Sequence, residues 1–386
     1  MNISEIINQL GEEREHYFNA VSPPIMASSN FSYSTVAAMR SCLQKEFDTP
    51  FYSRGYNPTV AILRKKIAAL ESTEDALICG SGSAAVAVAV ISQLKAGDHV
   101  VCVQKPYSWT YKLLQHLLSR YGVSTSFIDG REIEHFREAI RPETKMIFLE
   151  SPNSMTFELQ DIEAVCALAK EKNIITIIDN SYSSPLLQKP AELGVDLIVH
   201  SATKYLNGHS DVVAGVICGS HAMIRKMMAE DWMTLGPVLA PHDAWLLIRG
   251  LRTLEVRMKQ SVESTQKIVE RLAAHPKIER MIYPYHVSHP QFTLAQKQMK
   301  SGSGMFSVCI KADNAQGVER FCDALQHFLL ACSWGGYESL AFPVCALQTT
   351  PSYDNPHLPW NLVRIYIGLE DSEMLLQDLL QALDKV

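Results

Sequence analysis

The segment DLIVHSATKYLNGHSD, Asp196 to Asp211, joins an apolar run to a cluster of hydroxyl groups and one lysine. The apolar run is typical of a buried strand, and Ser201, Thr203 and Lys204 follow it directly. A lysine in a solvated loop does not require a core strand leading to it, whereas a lysine that forms a covalent bond inside a cleft has to be held in place. The segment therefore predicts a functional lysine at the carboxyl end of a core strand.

Short apolar runs alternate with helical patterns on both sides of this segment. The runs are ALIC (76–79), HVVCV (99–103), STSFI (124–128), KMIFLE (145–150), IITIID (174–179), DLIVH (196–200) and VVAGVIC (212–218). Between several of them the apolar residues have helical spacing, as in SAAVAVAVISQLKAG and DIEAVCALAKEKN. This alternation predicts an α/β fold with a mostly parallel central sheet and flanking helices, in which ligands bind at the carboxyl ends of the strands.

Three parts of the chain differ in their pattern. Residues 1–58 are polar and rich in turns, which predicts an N-terminal arm with short helices. Residues 59–240 carry the alternating strands and helices. Residues 241–386 are more helical and include the strand-like pieces MFSVCI and LVRIYIGL, which predicts a smaller C-terminal α+β domain.

Composition excludes several classes of protein. The formal net charge of −6 over 386 residues argues against general nucleic-acid binding. No apolar run approaches the ~18 residues of a membrane helix, and the acidic N-terminus does not resemble a secretory signal. None of the nine cysteines forms a Cys-x-x-Cys pair, so neither a metal site nor a disulfide framework is expected. We expect a cytoplasmic protein with reduced thiols that binds a small molecule.

The cluster after the strand suits one cofactor in particular. A desolvated lysine exposes a neutral amine, and neighbouring serine and threonine hydroxyls donate hydrogen bonds to phosphate; pyridoxal phosphate (PLP) needs both. Asp179 ends the run IITIID, where a carboxylate would pair with the pyridine nitrogen, although it could also cap a turn. Gly82 and Ser83 stand between a strand and an Ala/Val helix, which indicates either a phosphate cradle or tight packing.

Together these features resemble the Cys/Met-metabolism enzymes that depend on PLP, the cystathionine synthase and lyase family of fold type I, over essentially the whole chain. The resemblance implies PLP as the cofactor and a homotetramer of two catalytic dimers. Lys204, at the Schiff-base position, and Tyr107 are the implied catalytic residues. The implied cofactor contacts are Lys204, Asp179, Tyr107, Gly82, Ser83, Ser201 and Thr203, with Tyr52 and Arg54 reaching the phosphate of the neighbouring subunit. The implied substrate contacts are Arg364, for the α-carboxylate, and Asn153, Ser339, Trp334 and Tyr337.

Each of these side chains also has an ordinary structural explanation. Arg364 can bind a carboxylate through two parallel hydrogen bonds, or it can form a surface ion pair. Tyr107 offers a flat face for the cofactor ring, or it can pack in the core. Tyr52 and Arg54 precede a Gly-x-Asn-Pro turn that they could simply anchor.

The segment ACSWGGYESLAFP (331–343) resembles the bacterial cystathionine β-lyase version of the family. The first expectation is therefore β-elimination of L-cystathionine or a related cysteine conjugate to a thiol, pyruvate and ammonia. Many γ-acting members carry a glutamate where this chain has Cys332. Against β-elimination, the stretch from Tyr107 to Leu113 resembles that of γ-synthases, and the bulky Trp109 could narrow the distal pocket. A γ-synthase or γ-lyase therefore stays open, as does a catalytically silent PLP-fold binding protein, which the intact set of residues argues against.

Overall fold

The computed structural model describes residues 1–347, 350 and 358–386. The strands are β1 Asp75–Cys79, β2 His99–Val103, β3 Ser124–Ile128, β4 Thr144–Glu150, β5 Ile175–Asp179, β6 Leu197–Ser201, β7 Gly215–Gly219, β8 Ile278–Ile282, β9 Met305–Ile310, β10 Leu329–Leu330, β11 Leu340–Pro343 and β12 Leu362–Tyr366. The helices are α1 Ile3–Asn8, α2 Val36–Leu43, α3 Pro58–Leu70, α4 Gly82–Ile91, α5 Ser108–Lys112, α6 Ile133–Ala139, α7 Ile162–Glu171, α8 Ser184–Leu187, α9 His221–Met227, α10 Met233–Leu235, α11 Pro241–Leu251, α12 Leu254–Leu272, α13 Phe292–Gln298, α14 Ala315–Asp323 and α15 Ser372–Leu383.

The larger sheet has seven strands in the order β1-β7-β6-β5-β4-β2-β3. The neighbours from β6 to β3 are parallel, whereas β7 is antiparallel to both β1 and β6. The predicted α/β fold with a mostly parallel sheet is confirmed. The strand β7 begins at Gly215 rather than Val212, because the backbone of Ala214 instead bonds to the side chain of Thr203.

Both faces of this sheet are covered, which explains why its strands are apolar runs without alternation. In β4 every residue except Lys145 is buried. One face packs against α3, α7 and α11, and the other packs against α4 and α9. Since burying a large aliphatic side chain contributes about 1.5–3 kcal/mol, these two layers supply most of the stabilisation of the α/β region.

A second sheet of five strands, β10-β11-β12-β9-β8, is formed by the C-terminal part of the chain. It is antiparallel except between β10 and β11, and it packs against α12, α14 and α15. The smaller second region agrees with the prediction for the C-terminal part. The exact domain limits of 1–58, 59–240 and 241–386 stay a prediction.

The N-terminal arm is fastened to the α/β region at several points along its length. Helix α1 is held by Lys66, whose buried Nζ donates to the carbonyls of Ile6 and Ile7 at 3.1 Å and pairs with Glu12 at 3.0 Å. Helix α2 buries none of its residues. Across the described parts of the chain, no helix combines the length and the apolar character needed to cross a membrane.

Candidate active site

The carboxyl ends of β1, β4, β5 and β6 meet at one edge of the large sheet. Strand register places Glu150 of β4 beside Asp179 of β5. Asp179 in turn pairs with Val199 of β6, and Ser201 lies two residues further along that strand. Because parallel strands bring their carboxyl ends together, residues that are far apart in sequence share this edge. The candidate site is built on it.

An anion cradle lies at the start of helix α4. The Ser81 hydroxyl caps the helix by accepting the Ala84 N–H at 3.0 Å, which leaves the N–H groups of Gly82 and Ser83 in the first turn. A Cβ atom added to Gly82 would lie 2.8 Å from the Oγ of Ser201. Only glycine therefore allows the helix start to approach the end of β6 so closely, and the contact brings three of the predicted phosphate ligands together.

Thr203 is positioned by the strand that returns from this edge. Its hydroxyl donates to the Ala214 carbonyl at 3.2 Å and accepts the Ala214 N–H at 3.0 Å. These two bonds fix the turn that carries Lys204. A direct bond from Thr203 to phosphate stays a prediction.

Lys204 projects into a largely buried space between the two sheets. Its Nζ donates to the Oγ of Ser333 at 2.6 Å and lies 5.4 Å from the centre of the Trp334 ring. Burial, reinforced by the positive charge of Arg364, lowers the pKa of the Lys204 amine to about 8. At neutral pH a useful fraction of this amine is therefore uncharged, as a nucleophile or base requires.

Asp179 occupies the end of β5 with one face still partly open. Its Oδ1 accepts the Ser181 N–H at 2.9 Å. Burial raises the pKa of Asp179, while the bond from Ser181 acts in the opposite direction. A cationic ring nitrogen at this carboxyl would stabilise its charged form, so the residue suits the predicted pairing with a pyridine nitrogen.

Tyr107 begins helix α5 and keeps 43% of its surface exposed. Its backbone N–H donates to the Oε2 of Glu150 at 2.6 Å. Burial raises the pKa of the phenol, and the hydroxyl of Ser83 partly offsets this rise. The Tyr107 ring therefore lies near the anion cradle with its hydroxyl protonated at neutral pH.

Arg364 reaches the same space from the middle of β12 in the second sheet. Its guanidinium donates to the carbonyls of Ser154 at 3.2 Å and Ser333 at 3.3 Å. Burial lowers the pKa of Arg364 to about 10, and no ion pair among the described residues includes this side chain. A buried cation bonded to carbonyl groups suits an incoming carboxylate, because such an anion would neutralise it.

The loop from Ser333 to Tyr337 borders the site beside Lys204. Ser333 adopts a left-handed conformation with φ of 77°, so that its hydroxyl faces Lys204 while its carbonyl faces Arg364. Trp334 is buried and packs 5.5 Å from the ring of Tyr205, whereas Tyr337 is 57% exposed. Trp334 is therefore a wall of the site, and Tyr337 lies towards solvent.

The side chain of Asn153 bonds within its own loop, and that of Ser339 bonds to the segment that follows β12. The Oδ1 of Asn153 accepts the N–H groups of Thr156 and Phe157, both at 2.9 Å. The hydroxyl of Ser339 donates to Glu370 at 2.8 Å and accepts the Gly368 N–H at 2.9 Å. The hydrogen bonds of the described residues thus do not link either side chain to Lys204 or Arg364, and their role with substrate stays a prediction.

Tyr52 and Arg54 lie on the arm, where both side chains are exposed. Their contact with each other is a cation–π approach of 5.6 Å. No hydrogen bond or ion pair within the described chain joins them to the Lys204 group. The structure therefore does not bring this pair into the site of its own chain.

Three residues of the site were not predicted from the sequence: Glu150, Ser333 and Gly335. Glu150 carried a signal, since it ends the run KMIFLE as Asp179 ends IITIID. Gly335, with φ of 87°, lies against the backbone of Lys204, and its position carried no local signal. Within the described residues there is no cluster of three or more histidine, cysteine or acidic side chains that could hold a metal ion.

Comparisons with known proteins agree with this geometry. A family model described as "Cys/Met metabolism PLP-dependent enzyme" matches residues 5–384. L-methionine gamma-lyase from Pseudomonas deceptionensis is 40% identical over 94% of this chain and 92% of its own. Cystathionine beta-lyase from Coxiella burnetii is 35% identical over 97% and 95%, and cystathionine gamma-lyase from Bos taurus is 37% identical over 97% and 91%. The crystal structure of metB from Corynebacterium glutamicum superposes with a TM-score of 0.92 at 34% identity, covering 100% of this chain and 98% of that one.

Proposed function

Since the chain belongs to the Cys/Met metabolism family of PLP-dependent enzymes, we propose that it is a carbon–sulfur lyase that performs γ-elimination on L-methionine or a sulfur amino acid of similar shape. The overall reaction consumes L-methionine and water and releases methanethiol, 2-oxobutyrate and ammonia. Lyases of this family depend on PLP, and the residues of the site fit that cofactor.

The fit to PLP rests on three features of the site. The close approach of Gly82 to Ser201 brings N–H and hydroxyl donors for an anion together at the start of α4, Asp179 presents a carboxyl, and Lys204 presents an amine. Tyr107 lies beside the cradle with a flat ring. Bound PLP supplies an electron sink for the negative charge that develops at the substrate Cα.

The side chains of this chain would divide the remaining work. Arg364 binds the substrate α-carboxylate and so orients the Cα–H bond. The Lys204 amine, with its pKa lowered to about 8, would take the proton from Cα, and the same amine would take a proton from Cβ only after it has given up the first one. Tyr107 holds a phenolic proton near the site and is suited to donate it to the departing sulfur.

Cys332 is the single observation that carries the choice of substrate. L-cystathionine has a second ammonium and a second carboxylate, which a binding site has to neutralise or solvate. The groups of the chain that act electrostatically on Lys204 are Arg364, Cys332 and Asp179, and Cys332 stands beside Ser333 with an exposed side chain. The small cysteine side chain near the Trp334 wall suits a methyl thioether, in keeping with the name of the Pseudomonas relative.

The second candidate is β-elimination of L-cystathionine to homocysteine, pyruvate and ammonia. It is favoured by the segment from Ala331 to Pro343, which resembles that of bacterial cystathionine β-lyases. Trp334, a wall of the site, and Tyr337, which lies towards solvent, are compatible with either reaction.

Product identification separates the candidates. The purified, PLP-loaded protein is incubated with L-methionine and, separately, with L-cystathionine, and the keto acids and thiols are identified by mass spectrometry. We expect 2-oxobutyrate and methanethiol from L-methionine, and no turnover by Lys204→Ala. Pyruvate and homocysteine from L-cystathionine, with L-methionine untouched, would establish the second candidate. Retention of full activity by Lys204→Ala would refute the assignment of the base.

The resemblance to the family also supports a homotetramer in which Tyr52 and Arg54 complete the partner's phosphate site. The arm favours such an assembly, since α2 leaves Val36, Met39 and Leu43 exposed by 71%, 40% and 45%. Exposed apolar side chains on one short helix are stabilised when a second subunit covers them. Sedimentation equilibrium measures the assembly, and a monomer with full PLP affinity would contradict it.

A further inference from the structure

We propose that Glu150 is a positioning residue that sets the cofactor-stacking Tyr107 and the carboxylate-binding Arg364 relative to each other. The inference rests on the roles proposed above for these two residues, but not on the choice between γ- and β-elimination.

Glu150 holds two separate backbone segments with one carboxyl group. Its Oε2 accepts the N–H of Tyr107 at 2.6 Å, and its Oε1 accepts the N–H of Ser154 at 3.0 Å. Glu150 is only 4% exposed, so water cannot readily take the place of the carboxyl group if either hydrogen bond is lost. The start of α5 and the loop after β4 are therefore fixed to a single rigid strand end.

The second of these segments continues to Arg364. The carbonyl of Ser154 accepts from the guanidinium of Arg364 at 3.2 Å, and the Met155 sulfur lies 3.5 Å from the same nitrogen. A shift of the Ser154 peptide moves the carbonyl that orients the guanidinium. Glu150 thus acts on the substrate carboxylate through Ser154 and Arg364, and on the cofactor ring through Tyr107.

The chemistry of a carboxyl group is needed for this task. Both of its oxygens accept hydrogen bonds, whereas a glutamine amide offers one acceptor and one donor that would face an N–H. Burial, reinforced by the adjacent Asp179, raises the pKa of Glu150 to about 8. The N–H groups of Tyr107 and Ser154 act in the opposite direction, because their hydrogen bonds stabilise the charged carboxylate that accepts them.

Asp378 provides a matched control in the second sheet region. It is also 4% exposed, and it too accepts two backbone N–H groups, from Gln326 at 3.0 Å and from His327 at 2.7 Å. It lies on α15, away from the site. Asp378→Asn therefore reproduces the structural loss of Glu150→Gln without touching Tyr107 or Ser154.

The test measures the binding of glycine to the PLP-loaded protein, and the change in visible absorption of the cofactor reports this binding. Glycine has a carboxylate but no leaving group, so this readout is independent of the reaction type. Methylamine serves as the ligand without a carboxylate. We expect Glu150→Gln to raise the glycine Kd about tenfold, the cost of one lost hydrogen bond, and the methylamine Kd less than about twofold. The visible circular dichroism of the cofactor should also change, because the Tyr107 ring moves.

Asp378→Asn should lower the Tm but leave both Kd values unchanged. If Glu150→Gln does not fold, Glu150→Asp is measured in the same way, since its shorter side chain reaches only one segment. Glycine binding like that of the wild type in the folded variant would overturn the inference, as would equal weakening of glycine and methylamine. A wild type that does not respond to glycine would overturn the role of Arg364 and this inference with it.

Discussion

Replacing Gly335 with alanine is expected to displace Lys204 and to remove most of the activity. Gly335 has a φ of 87°, and an added Cβ would lie 2.7 Å from the nitrogen of Tyr205 and 2.9 Å from the carbonyl carbon of Lys204. Both neighbours are backbone atoms, so relief requires the lysine turn or the Ser333 loop to move. Two costs arise: about 1–2 kcal/mol for alanine in the left-handed region, and about 1–3 kcal/mol for the overpacking.

Gly97 separates these two costs. Its φ is 93°, and an added Cβ would meet nothing within 4 Å. Gly97→Ala therefore carries only the conformational cost of about 1–2 kcal/mol. We expect both variants to lose thermal stability, Gly335→Ala more than Gly97→Ala.

Steady-state kinetics of the PLP-loaded variants then report on Lys204. Displacing a catalytic group by about 1 Å costs about 100-fold in rate, so kcat of Gly335→Ala should fall by about this factor. Gly97→Ala should keep the kcat of the wild type. A Gly335→Ala protein with wild-type kcat and the same Tm as Gly97→Ala would refute the contact between the two loops.

Three further predictions concern the charged residues of the site and the arm. In the cofactor-free protein, the rate at which an amine-directed reagent labels Lys204 should be half-maximal near pH 8, since only the neutral amine reacts. Arg364→Gln should move this midpoint to higher pH, because the substitution removes a cation that repels the protonated amine. A midpoint near 10.5 would contradict the burial of the amine. Arg364→Lys should raise KM at least about tenfold, because the paired hydrogen bonds to the substrate carboxylate are lost, and it should affect kcat less. A lower Tm with unchanged KM would mean that Arg364 only packs against the Phe342 ring. Arg54→Ala should weaken PLP retention about tenfold, measured by equilibrium dialysis, because a charge-assisted bond to phosphate is lost. Unchanged PLP affinity would remove Arg54 from the cofactor site.

Some parts of the fold were predictable because they depend on short-range patterns. The runs KMIFLE and IITIID became β4 and β5 to within one residue, since strands buried on both faces require continuous apolar residues. Strand β8, IERMI, was not predicted, because Glu279 and Arg280 interrupt its apolar character on the exposed face. The C-terminal sheet is mostly antiparallel, so its strands give a weaker signal than those of the mostly parallel sheet.

The candidate site divides in the same way. The sequence by itself determined that Lys204, Asp179 and the Gly82–Ser83 turn follow core strands, and the common direction of those strands then places them at one edge. Only the tertiary structure decided that Ser333 meets Lys204 and that Glu150 binds the N–H of Tyr107. It also decided that Asn153 bonds within its own loop, whereas Ser339 bonds to the segment after β12. The physical reason is the distance along the chain over which each feature is set. A strand depends on a pattern that neighbouring residues repeat. A hydrogen bond between Lys204 and Ser333, by contrast, depends on how two sheets pack and on one left-handed backbone angle.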